Sequence, residues 1–463
     1  MAVAVSAAAA AAATDMENDK RAITGALAAA TCTLLGTAAP QPVQAQEEPD
    51  WNLDTGLLYY GEGDNRVQDL SFDVLARRNL LDERSLTLGF TVDSLTGATP
   101  TGALPQALPQ TFTSPSGRGG YTISAGQLPV DNTFHDTRLA GRVNWQQPLG
   151  RLTLINLGAT ASNEIDYLHL GVNAQLSHDF FRRNTTLSAG AAVARDTVNP
   201  IGGAPVPFTQ MQAATGGGGG GEDGEGGGGG GGGPGESKDV TDFMAGITQV
   251  LTRNLLVQLN YSYTDSSGYL TDPYKVLSVI DPNTGDGVQL TPGVGLDGPT
   301  YLYLYEHRPD TRKQQSLYGQ AKYFMDGTVL DLSYRYMTDD WQIHSQTVDL
   351  HLKWPLNATD YLEPHLRFYR QSEAYFYRPS LNDGEPLPDY ASADYRLGRF
   401  NAFTAGLKYG WTSANGSDMS VRLEWYRQTG KIPRNMLTGD QLLVNNFPDL
   451  NALILQFGYR FGR

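Results

Sequence analysis

Carboxylates, an imidazole and a hydroxyl come together in YMTDDWQIHSQT, residues 336 to 347, which contains Asp339, Asp340, His344 and Ser345. A hydrolase uses such groups to activate a nucleophile. The chain has no G-x-S-x-G nucleophile elbow, and no oxyanion donor accompanies the segment. A polar hairpin tip explains it more simply. We therefore expect no catalytic residues and no enzyme, and a hydrolase ranks third among the candidate functions.

The histidines are too scattered along the chain to predict a metal site. No pair has zincin spacing, and the only cysteine is Cys32. Residues 216–236 lack the Lys and Ser or Thr of a phosphate loop, and DPNTGDG at 281–287 has Gly285 and Pro292 where a calcium loop needs ligands. We expect no metal and no cofactor, and we interpret 281–287 as a turn. The seven histidines are His135, His169, His178, His307, His344, His351 and His365.

Charged side chains recur at alternate positions of the predicted strands between residues 312 and 371, on the face that would line a barrel interior. A turn at PLNATD pairs His351 roughly with Glu363, and Asp349 with His365. Opposite charges in a lumen can create an electrostatic field that selects which ions pass, or they can hold the interior wall together by ion pairing. Both roles remain open. This luminal charge ladder comprises Lys322 opposite Asp331, then Arg335, Asp349, His351, Glu363, His365 and Arg367.

The charged side chains reach one face only if the segments that carry them are β-strands, in which successive side chains point to opposite faces. The last segment, NALILQFGYRFGR, puts Leu453, Phe457 and Phe461 on one face and Gln456 and Arg460 on the other. Connections alternate between short turns and long loops, with the long ones at 94–134, 196–239, 265–311, 372–397 and 429–449. We predict an all-β fold, a transmembrane antiparallel up-and-down β-barrel with short periplasmic turns. Its strands, about sixteen of them, begin near residues 51, 66, 85, 135, 151, 166, 184, 240, 255, 312, 327, 341, 359, 398, 418 and 451.

Composition and the N-terminal segment indicate where the protein resides. The chain has 463 residues and a net charge of −15, and so acidic a chain repels nucleic acid. Lys20 and Arg21 precede an apolar stretch and a small-residue cleavage site at Ala45, as in a secretory signal. We predict an N-terminal extension and cleaved signal peptide at 1–45, with translation starting at Met1 or Met16. Residues 46–463 then form the barrel, with a disordered Gly-rich extracellular loop at 216–236.

Several loop and strand motifs resemble those of a bacterial family known only as a domain of unknown function. The resemblance spans nearly all of the mature chain. It implies a secreted outer-membrane β-barrel without an assigned activity, so it transfers no functional residues. The motifs are VDSLTGATPTGA at 92–103, PQTFTSPSG at 109–117, FHDTR at 134–138, GYLTDPYKVLSV at 268–279, YEHRPDTR at 305–312, SYRYMTDDW at 333–341 and YASADYRL at 390–397.

Three functions compete on this basis. The first is a porin-like channel or conduit for small solutes in the bacterial outer membrane, because a barrel of about sixteen strands is wide enough to hold water. The alternative is a plugged structural or partner-docking barrel without transport, and the hydrolase is the third. Expected partners are outer-membrane lipid, the barrel-assembly machinery and an unidentified periplasmic or extracellular protein, but no nucleic acid.

Overall fold

The computed structural model describes residues 51–63, 66–80, 82–97, 99–113, 120–131, 134–200, 203–211, 232–233, 235–290, 301–443 and 446–462. The predicted signal peptide at 1–45 lies outside these residues. Only the end of the glycine-rich tract, 232–233 and 235–236, lies within them. No helix in the described ranges is long and apolar enough to cross a membrane.

The described part of the chain contains twenty-three strands and three short 3-10 helices. The helices are Tyr395–Leu397, Arg434–Met436 and Gly439–Leu443. The strands are β1 (Trp51–Glu62), β2 (Gln68–Asn79), β3 (Ser85–Thr96), β4 (Gln110–Thr113), β5 (Gly120–Ile123), β6 (His135–Pro148), β7 (Thr153–Asn163), β8 (Tyr167–Phe180), β9 (Thr185–Val198), β10 (Ala204–Pro205), β11 (Gly232–Gly233), β12 (Glu236–Thr252), β13 (Leu255–Gly268), β14 (Val276–Ile280), β15 (Tyr303–Tyr305), β16 (Thr311–Met325), β17 (Thr328–Asp339), β18 (His344–Pro355), β19 (Asp360–Gln371), β20 (Ser380–Asn382), β21 (Phe400–Thr412), β22 (Asp418–Gly430) and β23 (Leu450–Gly462).

Sixteen strands close into one barrel in the order β1-β2-β3-β6-β7-β8-β9-β12-β13-β16-β17-β18-β19-β21-β22-β23, and every neighbouring pair is antiparallel. The first and last strands complete the ring, with Asn52 opposite Gly462 and Glu62 opposite Ala452. The predicted fold class is confirmed. The observed and predicted strand starts differ most at β12, which begins at Glu236 instead of near residue 240. The alternation of inward and outward side chains along β12 continues into the residues that the sequence assigned to the preceding loop.

The barrel exterior is apolar and its interior is polar. On β23, Leu453 and Phe457 are 48% and 45% exposed, whereas the inward Ile454 is 1% exposed. The same alternation exposes Leu168, Leu170 and Val172 on β8. An apolar outer band on a closed barrel that leaves no unpaired edge is the bilayer-facing surface of an outer-membrane barrel.

Connections of different length separate the two rims of the barrel. At the short-turn end, β16 and β17 are joined by Asp326 and Gly327 alone, both with positive φ, as a type I′ turn requires. Both chain ends of the barrel lie at this end. The opposite, long-loop end carries the five long connections together with the short ones after β1, β7 and β17. In outer-membrane barrels the short turns are periplasmic.

The long connections fold together into a compact structure that we call the cap, defined as the described residues of 97–134, 199–235, 269–310, 372–399 and 431–449. Its centre is a sheet in the order β15-β14-β20, with two-stranded sheets β4-β5 and β10-β11 beside it. All of β14 is buried. The DPNTGDG segment forms the turn that the sequence predicts, in which Asp281 Oδ1 accepts hydrogen bonds from the amides of Asn283 and Thr284.

Candidate functional site

The first part of the predicted ladder lies on β16 and β17. Lys322 and Asp331 are directly paired across these strands, and their side chains form an ion pair of 3.1 Å. Gln320 Nε2 also donates to Asp331 at 2.7 Å. Arg335 lies further along β17 and donates to Ser316 Oγ at 2.8 Å. The structure therefore brings Lys322 and Asp331 together, whereas Arg335 has a separate partner.

The second part of the ladder lies on β18 and β19, with a register two residues away from the predicted one. His351 lies opposite His365, and Asp349 opposite Arg367. The difference arises because Leu356 N–H bonds Asp360 O, which closes the turn around 356–359. The predicted neighbours still meet diagonally, since such neighbours lie within reach of long side chains. His351 Nδ1 lies 3.4 Å from Glu363 Oε1, and His365 Nε2 lies 3.3 Å from Asp349 Oδ2.

The two histidines form the centre of this wall. Their rings are stacked, with centroids 4.1 Å apart and an interplanar angle of 4°. Asp349 faces both rings, because its Oδ1 lies 2.9 Å from His351 Nε2 and its Oδ2 faces His365. Arg367 Nε lies 3.6 Å from Asp349 Oδ2. Charged groups from two strands thus converge on one carboxylate.

Three residues of the site were not predicted from the sequence, namely Lys408, Arg422 and Glu424. Glu424 Oε1 is 2.8 Å from His365 Nδ1, and Arg422 bridges Glu363 at 3.0 Å and Glu424 at 3.2 Å. All three occupy inward positions of β21 and β22, so the alternation used for β18 and β19 could have identified them. Gly406 lies opposite Glu424 and leaves space for its side chain, since a Cβ there would lie 2.6 Å from Glu424 Cγ.

A polar cavity of about 510 Å³ opens at the short-turn end of this wall. We call it the vestibule. Its charged lining residues are Asp54, Lys353, Asp360, Lys408, Asp418 and Arg460. Lys353 Nζ lies 4.1 Å from the centre of the Tyr361 ring, which rests on Gly410. The inward side chain of Gln456, on the neighbouring wall, is exposed. The barrel is therefore accessible to water at this end.

Towards the cap, the interior becomes packed. Glu424 and Thr404 are each 1% exposed. Tyr274 extends from the cap to the wall, where it packs against the inward cluster that contains Tyr60 and Ile454. Its hydroxyl donates to Asp166. The cap therefore reaches into the barrel instead of lying only above it.

The cap also contains a largely buried network of acidic and basic side chains from two loops, 269–310 and 372–399. Arg308 Nη2 contacts Asp394 Oδ2 at 2.8 Å, and Arg308 Nε contacts Glu306 Oε1 at 2.6 Å. Arg396 pairs with Asp394 and, at 2.8 Å, with Asp272. Sequence reasoning missed this network, although the motifs GYLTDPYKVLSV, YEHRPDTR and YASADYRL contain its members.

Lys275 attaches this network to the first long loop. Its ammonium donates to Thr99 Oγ1 at 2.7 Å and to Pro100 O at 2.6 Å. Burial lowers the pKa of Lys275 to about 8, although Asp394 opposes this shift. Burial alone would raise the pKa of Asp394, but Arg396 and Lys275 hold it well below its usual range. The charges of the network thus act strongly on one another, and Lys275, Glu306 and Asp394 are inaccessible to solvent.

The hydroxyl, imidazole and carboxylates of the 336–347 segment do not converge. Asp339 accepts two hydrogen bonds from Arg312, at 2.9 and 2.7 Å, and one from the amide of Ile343 at 2.8 Å. His344 is exposed and Ser345 is buried, because successive residues of β18 face opposite sides. Asp340 is exposed beside them. The segment is a hairpin tip whose polar groups have structural partners.

Comparison with solved structures finds barrels of low similarity. A ferric enterobactin receptor mutant from Pseudomonas aeruginosa is 10% identical with a TM-score of 0.37, covering 83% of this chain and 54% of that one, so this chain spans about half the receptor's length. A bacterial polysaccharide outer membrane secretin is 9% identical with a TM-score of 0.39, covering 89% and 97%. Outer membrane protein OpdK from Pseudomonas aeruginosa is 9% identical with a TM-score of 0.37, covering 90% and 100%. TM-scores this low carry no argument about function.

A search of curated protein sequences found no match. A family model does match, over residues 24–461. This range includes all sixteen barrel strands except the last residue of β23, and every described segment of the cap. The chain belongs to the family described as protein of unknown function (DUF3570).

Proposed function

We propose that this protein is an outer-membrane conduit for small solutes that the cap closes at its long-loop end. The vestibule carries the proposal. It is a water-accessible chamber lined by charged side chains, continuous with the ladder of β18, β19, β21 and β22. A wall that served only as a scaffold would have no need of exposed interior charges such as Lys353 and Arg460.

The width of the barrel supports a lumen that conducts water. Eight strands leave an interior that side chains can fill, whereas sixteen leave a channel unless other segments occupy it. In this chain the cap occupies the part near the long-loop end, through Tyr274 and the cluster around it. The part near the short-turn end holds the vestibule. Passage therefore requires displacement of the cap from the wall.

A plugged barrel that docks a partner protein is the second candidate. The buried ion network favours it, because so many coupled charges fix the cap in one arrangement. We propose no catalytic role, since Asp339 is engaged by Arg312 and His344 faces away from Ser345. The partners that remain in this proposal are outer-membrane lipid, the assembly machinery that inserts the barrel, and a protein that contacts either rim.

Liposome swelling tests the conduit directly. A loop-shortened variant has residues 269–310 replaced by a tight turn, which joins β13 to β16 at the paired residues Ser267 and Thr311. We expect liposomes with this variant to admit small sugars faster than liposomes with the wild type. Equal exclusion of small sugars by both proteins would favour the docking barrel. Recovery of the heat-modifiable folded band establishes that the variant is inserted.

A further inference from the structure

The histidine pair of the wall has an unusual arrangement of hydrogen-bond groups. Each ring has a carboxylate at both nitrogens: His365 lies between Glu424 and Asp349, and His351 between Glu363 and Asp349. A neutral imidazole has one N–H and one lone pair. When Nδ1–H donates to the glutamate, the lone pair of Nε2 points at an oxygen of Asp349, which is also an acceptor.

A cation between the two Nε2 atoms and Asp349 resolves both conflicts at once. Two additional protons would do so only by placing two parallel imidazolium rings 4.1 Å apart. The ligand atoms of Asp349, His351 and His365 lie within 4.8 Å of one another. Donors that share one ion at about 2.1 Å lie at most about 4.2 Å apart. The separations of the ligand atoms thus nearly match those around one ion. The parallel rings must also splay, so that each Nε2 lone pair, which lies in its ring plane, points at that ion.

Carboxylates that orient ligating histidines in metal sites are also present beside the two imidazole rings. Ligating histidines usually donate their second N–H to a carboxylate, which fixes the tautomer and the ring orientation. Glu424 does this for His365 at 2.8 Å, and Glu363 lies 3.4 Å from His351. Arg422 of β22 contacts both glutamates, Glu363 at 3.0 Å and Glu424 at 3.2 Å. The site is reached from the vestibule, since the side chains of His351 and Asp349 are 27% and 18% exposed.

We propose that Nε2 of His351, Nε2 of His365 and the Asp349 carboxylate bind one divalent first-row transition-metal ion. Two imidazoles and one carboxylate with open positions suit Zn²⁺ or Cu²⁺ better than Mg²⁺ or Ca²⁺. Glu363 and Glu424 are positioning residues for the two rings. Spacing along the sequence predicted no metal because the ligands come from two strands that meet only in the folded barrel. The inference concerns binding and does not depend on transport.

Titration of the purified full-length barrel in detergent, after EDTA treatment, tests this site. We expect one Cu²⁺ per chain by calorimetry, with nitrogen couplings in its electron paramagnetic resonance spectrum. His351→Gln and His365→Gln should each weaken binding by about a hundredfold or more. Glu424→Gln should weaken it by about tenfold to a hundredfold, as for other residues that orient a ligand.

Two matched controls separate this site from other groups. His178→Gln removes a histidine at the short-turn end, and Asp136→Asn alters the buried carboxylate cluster formed with Glu164 and Asp166. Both should retain wild-type Cu²⁺ affinity. A wild-type spectrum without nitrogen couplings would overturn the proposal even if the histidine variants failed to fold. So would unchanged affinity in folded His351→Gln, or loss of binding only in Asp136→Asn.

Discussion

At the scale of single residues, the buried charges of the cap determine how firmly it holds together. Lys275, Glu306 and Asp394 are fully buried, and removal of one partner from such a network costs roughly 3 to 5 kcal/mol because it leaves an uncompensated charge. Asp272 and Asp394 have pKa values below the usual range despite burial. Their contribution is present above the pKa of an unfolded aspartate and is lost only as the pH falls through the lower folded value.

Lys275 gives the cap a pH dependence of the same sign in a more alkaline range. Its pKa of about 8 in the folded cap lies below the ordinary 10.5, so unfolding takes up a proton between these values and stability rises with pH. Over this pH range the free energy of unfolding increases by about 3 kcal/mol. We expect urea unfolding of the cap to show this rise in the wild type and not in Lys275→Met when it is followed by fluorescence of the buried Trp341, which packs against Phe376 of the cap. The exposed Lys431→Met is the control and should behave as wild type; identical pH profiles for all three proteins would refute the assignment.

Substitution of Glu363 distinguishes a lumen whose charges select ions from one whose charges only stabilise the wall. Its carboxylate contacts Arg422 at 3.0 Å beside the vestibule. In the loop-shortened background, Glu363→Gln should shift the reversal potential towards anion preference, because the arginine loses its counter-charge. The unfolding temperature should change little. Glu373→Gln, which removes the same charge at the rim, should leave the potential unchanged. A lower unfolding temperature without a shift in reversal potential would show that Glu363 stabilises the barrel interior and does not select ions.

At the scale of strands, alternation alone predicted which residues face in and which face out. Phe457 is an outward residue in the middle of β23, and Gln456 beside it faces the lumen. An arginine on the lipid face at mid-depth costs roughly 2 to 4 kcal/mol. We therefore expect Phe457→Arg to lower the guanidinium midpoint of the barrel in vesicles and Gln456→Arg to leave it nearly unchanged. The reverse order would mean that the two faces of β23 are exchanged.

Strand pairing was less predictable than strand position. Lys322 meets Asp331 as expected because the two-residue turn at Asp326 and Gly327 fixes the register. The turn at 356–359 is longer, and its closing hydrogen bond between Leu356 and Asp360 moves His351 from Glu363 to His365. A turn whose hydrogen bonding is not evident from its sequence leaves the register open by two residues, although the inward face stays the same.

At the scale of the whole molecule, the cap occupies the long-loop end of the barrel. It could not be predicted, because its contacts join loops far apart in sequence without any periodic pattern. Lys275, for example, donates to Thr99 and Pro100 of the first long loop. The barrel provides a lumen wide enough for water, and the cap fills the end where long loops meet. The cap therefore closes the lumen that we propose as a conduit.

Single-channel recording in planar bilayers measures whether the cap closes the lumen. The wild type should show little or no stepwise conductance, and the loop-shortened variant, which lacks Tyr274 and Lys275, should show large and frequent steps. The heat-modifiable band of each protein shows that both are folded. The absence of steps in the shortened variant would contradict the claim, because the lumen would then be filled by something other than the cap. Equal large steps in both proteins would also contradict it, because the cap would not close the conduit.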